Sequence, residues 1–457
     1  MGKKFDFQYI VIGSGPAGSA AALTLAKFSK KPIAIVEERN FGGTDLNTRD
    51  IPYAVALNFS HSYQQLLSLP EFKNQDITFS LPTAVSHQLK SIIETGNNYQ
   101  KAYEKAGITC IKGYANFLDK HTIAIGEKKF TAANFLLATG SKLKTSGISG
   151  TESVNYLTPE TAIKIRRLPK VAVIVGGGST GCEIAEYYAE LGTKVIILET
   201  ANRLLPREDK EVGEAMAEYL TRELGVMVLP NCKVVSIEQD DIVKRVVFRN
   251  AKAEKMIRTD CIVLATGSEP NLDYGLENTG VKFKNSGIVT DRFFQTTTKN
   301  IYAAGDCLGK ESSTERANYE GIIAASNLAN KSKIPTNYAG FIRKISTFPE
   351  IAIVGFNEDD LVKRDRKYKK ATINLTETNA SSIYNFKYGF IKLLADKNNR
   401  LLGATIVAPN AISIAAELSA PLRYGLSLKE IANDPYYLVN DYNYLIKLAA
   451  KKIIDKK

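Results

Sequence analysis

Thiols and imidazoles are scarce in this 457-residue chain, and both are badly placed for chemistry in concert. The five cysteines, Cys110, Cys182, Cys232, Cys261 and Cys307, stand far apart in the sequence, so no CxxC-type redox or zinc pattern exists. Cys182 and Cys261 sit in apolar surroundings and read as small core residues. The three histidines, His61, His87 and His121, all fall within the first 121 residues; each reads as a surface or packing residue, and no metal site is expected. Long apolar runs are lacking too: nothing approaches the roughly 20 residues of a membrane span. The start, Met1-Gly2-Lys3-Lys4-Phe5-Asp6, is basic but has no apolar signal core, so a cytoplasmic location without membrane attachment is the expectation. A net charge of +12 includes one dense run from Lys363 to Lys370. No nucleic-acid motif accompanies it, and it reads as a solvated loop or exposed helix end rather than a contact with nucleic acid or membrane.

What the chain does have is one unusual turn twice. Gly13-Ser14-Gly15-Pro16-Ala17-Gly18 follows the apolar run Tyr9-Ile10-Val11-Ile12, and Gly176-Gly177-Gly178-Ser179-Thr180-Gly181 follows Val171-Ala172-Val173-Ile174-Val175. After each comes a helix-like stretch and a second apolar strand closing on an acid, Glu37 or Glu199. In such a unit the glycines permit a tight turn, a close backbone approach to a pyrophosphate, and a helix seated low on the sheet. The helix N-terminus offers free N–H groups to phosphate, and the acid can accept from a ribose 2′-hydroxyl. One such motif alone is weak; two complete copies predict two bound dinucleotides.

A second repeat supports the first. Phe135-Leu136-Leu137-Ala138-Thr139-Gly140 and Ile262-Val263-Leu264-Ala265-Thr266-Gly267 are near copies, each an apolar strand ending where the backbone can turn under a cofactor. Ile301-Tyr302-Ala303-Ala304-Gly305-Asp306 is another strand ending in glycine and an acid, and Ser313-Thr314-Glu315-Arg316 has the hydroxyls to open a helix. A helical stretch is expected near 50–105, a strand pair near 109–130, and from about 338 a separate α+β region with strands at 351–354, 390–394 and 402–407 and helices from Ile412 and Lys429.

These residues, with Phe41-Gly42-Gly43-Thr44 and Leu402-Gly403-Ala404-Thr405-Ile406-Val407, make the whole chain resemble the pyridine nucleotide–disulfide oxidoreductases. The resemblance implies an α/β protein with two Rossmann-like dinucleotide-binding domains, for FAD and NAD, plus a C-terminal α+β dimerisation domain. Its parts would be 1–148 and 271–337 for FAD, 149–270 for NAD(P) and 338–457 for the homodimer interface. FAD would lie on Gly13, Gly15, Pro16, Ala17, Gly18, Glu37, Gly43, Thr44, Ala115, Thr139, Gly140, Asp306 and Thr314. The nicotinamide nucleotide would lie on Gly176, Gly178, Ser179, Gly181, Glu199 and Gly267. Ser179 stands where relatives often carry an aromatic that covers the flavin, so that site should be more open. Glu199 favours NAD(H) over NADP(H) by repelling a 2′-phosphate; Arg203 and Arg207 close behind it leave NADP(H) possible.

The same resemblance exposes two departures. Relatives carry a redox cysteine pair just after Gly43-Thr44, but here both positions are aspartate, Asp45 and Asp50. The lysine that usually follows is replaced at Tyr53 and Ala54, while its usual partner is kept as Glu183. Relatives also place a His…Glu acid/base near the C-terminus; here the matching stretch is Leu438-Val439-Asn440-Asp441-Tyr442-Asn443, and no histidine follows His121. Dithiol exchange needs a thiolate and a proton carrier, so lipoamide, glutathione and thioredoxin reduction are rejected. The expectation is an FAD-dependent NAD(P)H oxidoreductase passing electrons to a small-molecule acceptor: a quinone, dioxygen or a second nicotinamide. The alternative is a pseudoenzyme that binds flavin or NAD as a sensor or scaffold. Asp45 and Asp50 have two readings: carboxyls beside the flavin, one protonated and able to donate to the acceptor, or helix-start residues of structural use.

Overall fold

A computed structural model describes residues 4–72, 75–144, 147–251, 253–310, 313–330, 333–435 and 437–455. The chain divides into two compact units, one made of residues 1–56, 82–144 and 267–337, the other of 57–81, 145–266 and 338–457. The first is built on a seven-stranded sheet ordered Ile108–Lys112, Ile33–Glu37, Phe7–Ile12, Lys128–Leu137, Thr122–Ile125 and Asn116–Asp119, with Ile301–Ala303 also paired to Lys128–Leu137. Phe7–Ile12 is parallel to the strands on both sides and is buried from Tyr9 to Ile12. Strands covered on both faces read as unbroken apolar runs, which is how this one and Ile33–Glu37 appear in the sequence.

The strand pair expected near 109–130 is arranged differently. Ile108–Lys112 lies parallel to Ile33–Glu37 at the edge of the main sheet, because the long helix Leu81–Lys105 returns the chain to that open edge. The antiparallel pairing is made instead by Asn116–Asp119, Thr122–Ile125 and the start of Lys128–Leu137. The helical stretch expected over 50–105 is likewise two helices, Asp50–Ser68 and Leu81–Lys105. Pro70 accounts for the break, since proline removes a helical N–H and disfavours helix in the residue before it; a 3-10 turn, Pro70–Phe72, follows. The first helix, Pro16–Phe28, lies close on Thr314–Ala329: a Cβ on Gly321 would come within 2.1 Å of the Ala17 carbonyl oxygen.

The second unit holds three sheets. Met227–Leu229, Lys194–Leu198, Val171–Val175 and Cys261–Leu264 form a parallel sheet, and Lys233–Asp240, Val243–Arg249 and Glu254–Thr259 form an antiparallel one. The third, ordered Ile342–Ile345, Glu350–Gly355, Leu401–Ala408, Phe390–Ala395 and Lys369–Asn374, is antiparallel throughout. It shares a core with helices Ala411–Tyr424, Leu428–Asn433 and Tyr444–Ile454. Among the described residues no helix is long and apolar enough to cross a membrane.

A fully buried lysine anchors this third sheet. Lys392 has no exposed side-chain surface and meets Asp209 at 2.7 Å, Glu358 at 3.0 Å and Glu211 at 3.4 Å. Asp209 also accepts the Glu358 N–H at 3.0 Å. The basic run contributes here: Lys370 and the Tyr368 hydroxyl both bond Glu358, while Arg364 and Arg366 lie over the Phe356 ring. Burial works to raise the Glu358 carboxyl, but hydrogen bonds from Lys370, Tyr368 and Lys392 prevail and hold it down at about 2. A carboxylate depressed in this way adds stability that is complete above its unfolded value of about 4.3 and vanishes as pH falls through the folded one. Replacing Glu358 by glutamine should therefore lower the melting temperature at neutral pH and flatten its fall in acid. Melting curves across that pH window test this, and an acid limb as steep as the wild type's would refute it.

Candidate functional site

Both glycine turns close by the same contacts. In the first unit Gly13 has φ +97°, and a Cβ there would come within 2.1 Å of the Ala138 carbonyl oxygen; one on Gly18 would come within 1.8 Å of the Gly13 carbonyl oxygen. In the second unit the matching values are φ +110° at Gly176, 2.4 Å to the Ala265 oxygen, and 1.9 Å from Gly181 to the Gly176 oxygen. The Ala-Thr-Gly turn thus lies directly against the first glycine in both copies, and the third glycine lets the helix start sit on the turn.

The middle glycines differ. A Cβ on Gly15 or on Gly178 would meet nothing within 4 Å, and their φ values of −64° and −74° suit any residue. The protein itself gives no reason for glycine there. Each is the N-cap of a helix, Pro16–Phe28 or Ser179–Glu190, with no side chain capping it, so first-turn N–H groups remain for an anion. An open cradle on an uncapped helix start is the arrangement a dinucleotide pyrophosphate fits. Pro16 lies in the first turn of the first helix, where its missing N–H costs nothing, followed by buried Ala17.

The two acids hold these turns in shape. Glu37 Oε2 accepts from the Ser14 N–H at 2.9 Å and the Ser14 hydroxyl at 2.7 Å, and its Oε1 accepts from the Arg39 N–H at 3.0 Å. Glu199 Oε2 accepts from the Gly177 N–H at 2.5 Å, and its Oε1 from the Ala201 N–H at 2.7 Å. Glu37 Oε1 and Glu199 Oε2, each accepting one of these bonds, keep acceptor capacity that a ribose hydroxyl can use. Ser14 Oγ also accepts the Gly42 N–H at 3.0 Å. This ties down the loop that brings Gly43 so near that a Cβ on it would stand 2.6 Å from Gly15 Cα. Sequence reasoning passed over Ser14; the signal was its hydroxyl between two glycines opposite an acid.

The other residues of the first unit gather around the same turn. Ala115 is buried in the loop after Ile108–Lys112, where the Gly113 N–H donates to the Glu37 carbonyl at 2.8 Å. Thr139 Oγ1 donates to the Asn271 carbonyl at 3.0 Å, so its side chain braces the turn, and a Cβ on Gly140 would meet nothing within 4 Å. Asp306 accepts from the Ser141 hydroxyl at 3.0 Å, and Gly305 before it donates its N–H to buried Glu320 at 2.9 Å. Ser313 caps the helix Thr314–Ala329 by accepting the Arg316 N–H at 3.1 Å, as its hydroxyl promised.

Asp45 and Asp50, where the resemblance expects a cysteine pair, each lie at the start of a helix. Thr44 is exposed, and half-buried Asp45 stands in the first turn of helix Gly43–Thr48, where its Oδ1 accepts from the Thr314 hydroxyl. Burial, and then the charge of Asp45, push the Tyr99 phenol up. Asp50 is the first residue of the helix Asp50–Ser68 and is also half-buried. The five cysteines are free: Cys110 is exposed and the other four buried, with burial raising the Cys307 thiol to about 12.

In the second unit Ser179 is exposed at the start of its helix, and the Gly267 carbonyl of the first unit accepts the Lys144 N–H at 3.0 Å. Glu183 accepts the Ser346 N–H at 2.9 Å. Arg203 is engaged by the protein, donating to the Glu208 carbonyl at 2.9 Å and lying 3.8 Å from Asp359, whereas Arg207 is exposed.

Comparison with known proteins agrees with this arrangement. The sequence profile of the pyridine nucleotide-disulphide oxidoreductases matches residues 7–325, and that of their dimerisation domain matches residues 343–438. A mercuric reductase of Bacillus cereus is 27% identical over 460 residues, covering 99% of this chain and 73% of its own length. A dihydrolipoyl dehydrogenase of Geobacillus stearothermophilus is 28% identical over 437 residues, 93% of this chain and 92% of its own. Among solved structures, the HOCl-induced flavoprotein disulfide reductase RclA of Escherichia coli superposes with a TM-score of 0.86 at 23% identity. It covers 97% of this chain and 99% of its own, and at that identity the likeness bears on the fold.

The contrast between the glycines is testable. Gly18→Ala forces a Cβ against a backbone oxygen and should destabilise the apoprotein by roughly 1–3 kcal/mol. Gly15→Ala meets only open space and should leave the apoprotein melting point unchanged while lowering the flavin retained on purification. Thermal melts with flavin-to-protein absorbance ratios check both, and full flavin occupancy in Gly15→Ala would show that this cradle does not carry the cofactor.

Proposed function

Because this chain belongs to the pyridine nucleotide-disulphide oxidoreductase family, whose members are FAD-dependent NAD(P)H oxidoreductases, we propose that it passes electrons from a nicotinamide through FAD directly to a small acceptor, with no redox disulfide between. Quinones, dioxygen or a second nicotinamide are the acceptor classes. The observation that carries this reading is the pair Asp45 and Asp50 where the two redox cysteines stand in relatives, with the four buried cysteines placed in the core. When bound, FAD supplies the hydride acceptance and the onward electron transfer. The chain's part is to bind and orient it. The turn at Gly13, Gly15 and Gly18 with the N-terminus of Pro16–Phe28 would take the pyrophosphate, Glu37 a ribose, and Asp306 the ribityl chain.

The second turn, at Gly176, Gly178 and Gly181, would hold the nicotinamide nucleotide in the same way, with Glu199 on its ribose. NADH is the proposed donor. The backbone bonds of Arg203 support this, since they hold its guanidinium on the protein instead of leaving it for a 2′-phosphate. Asp45 is bonded by Thr314, and Asp50, the half-buried first residue of the helix Asp50–Ser68, is the carboxyl proposed to meet the acceptor. Residues 343–438 support a homodimer, and Glu183, bonded to the Ser346 backbone, keeps a structural part in place of the missing lysine pair.

Anaerobic titration of the purified flavoprotein with NADH and then NADPH tests the proposal. Expected is full bleaching of the flavin band near about 450 nm, completed by one equivalent of NADH, with no long-wavelength thiolate–flavin band. Uptake of a second equivalent with that band would restore a disulfide mechanism. An unbleached flavin with bound NADH would favour the binding-protein alternative. Asp50→Asn then separates its two roles. A proton donor's loss should lower acceptor turnover about 10²-fold with unchanged bleaching. A helix-start role should cost up to about 1 kcal/mol of stability and leave turnover alone.

A further inference from the structure

Within the second unit, three ionisable side chains converge with unmet bonding capacity. Glu186 and Glu190 are one turn apart on the helix Ser179–Glu190, and each is 1% exposed. The Glu186 carboxylate accepts the Phe348 N–H at 2.7 Å through Oε1, and Glu190 Oε1 meets His61 Nδ1 at 2.8 Å. The remaining atoms, Glu186 Oε2, Glu190 Oε2 and His61 Nε2, are all buried and have no hydrogen-bond partner. Each residue can offer one ligand atom such that the three lie within 4.8 Å of one another.

We propose that His61, Glu186 and Glu190 form a binding site for one divalent first-row transition ion. One imidazole nitrogen with two carboxylate oxygens is a donor set such ions accept. Two ligand atoms about 2.0–2.2 Å from a tetrahedral ion lie roughly 3.3 Å apart, so rotamer adjustments of about 1 Å close the set. Charge favours it: two carboxylates balance a dication that the imidazole binds through a lone pair, whereas without one two carboxyls are buried side by side. Burial first, and the charge of Glu190 next, push the Glu186 carboxyl well above its ordinary range. Glu183 adds to that field, and His61 lies in turn within electrostatic reach of Glu350. The Tyr219 phenol, raised by burial and then by Glu186 and Glu190, is the other titratable group facing the cluster. A single proton shared by the two carboxylates would leave His61 Nε2 still unpaired. The imidazole keeps 20% of its surface exposed, which gives an ion an entry path, and it packs on the Phe348 ring at 3.9 Å.

Zinc chloride serves as the probe. Chelator-stripped flavoprotein is equilibrated with it, desalted and assayed by plasma mass spectrometry. Expected is one zinc per chain in the wild type and in Cys110→Ala, and none in Glu186→Gln/Glu190→Gln, whose flavin spectrum reports that it is folded. Zinc-edge absorption of the wild-type protein reads the ligands without any variant, and imidazole with oxygen ligands is expected. A zinc–sulfur shell near about 2.3 Å, zinc kept by the double variant, or no zinc kept by the wild type would each overturn the proposal. The last outcome would leave a shared proton as the occupant.

Discussion

The closeness of three backbone segments at one strand end governs the rest of the molecule. Where Phe7–Ile12 ends, Gly13 turns against the Ala138 carbonyl, Gly18 rides on the Gly13 carbonyl, and Gly43 presses on Gly15. No side chain fits in any of these contacts, so the turn, the helix start and the neighbouring loop have one relative placement. Close packing of this kind tolerates little adjustment. The same geometry recurs at Gly176, Gly181 and Ala265. Two separate stretches of sequence have thus met the same steric demand with the same residues, and in both a Cβ on the middle glycine would meet only open space. Steric necessity accounts for the outer glycines, and room for a ligand accounts for the inner.

Much of this was legible because it depends on local chemistry. Buried parallel strands appear as apolar runs, the glycine turns as spaced glycines, and the strand-end acids as Glu37 and Glu199. The parts that were not legible depend on chain return. That Ile108–Lys112 joins the main sheet in parallel, and that Asp50–Ser68 and Leu81–Lys105 are separate helices, follow from where an open sheet edge lies and from Pro70. The site residues behave likewise. Ser14 on Glu37 is a contact between the two ends of one strand–helix–strand unit, which the spacing of that unit announces. Thr314 on Asp45, and Ser141 on Asp306, join positions more than a hundred residues apart, and no spacing announces them.

An aspartate at position 45 makes its own demand on the neighbouring elements. A carboxylate needs donors where a thiol needs few, and Asp45 finds one in the Thr314 hydroxyl on the helix that follows Asp306. Its place in the first turn of Gly43–Thr48 is also one where negative charge is favourable. The segment is therefore tied down beside the first cradle by polar contacts of its own, with carboxyls at the two positions where the resemblance expects thiols.

Several buried acids of this protein find partners at both carboxylate oxygens. Glu37 and Glu199 each close on backbone N–H groups at both oxygens. Glu320 bonds the Gly305 N–H with one oxygen and the Arg316 guanidinium with the other, and Asp209 meets Lys392 and the Glu358 N–H. An unpaired buried carboxylate oxygen is costly because water's compensation has been removed, and each of these arrangements avoids that cost with groups of the protein itself. Glu186 and Glu190 satisfy one oxygen each and leave the other without a hydrogen-bond partner. Each of those oxygens, and the second imidazole nitrogen, lacks a hydrogen-bond partner among the described residues, and a cation bound by the two carboxylates and the imidazole would provide one.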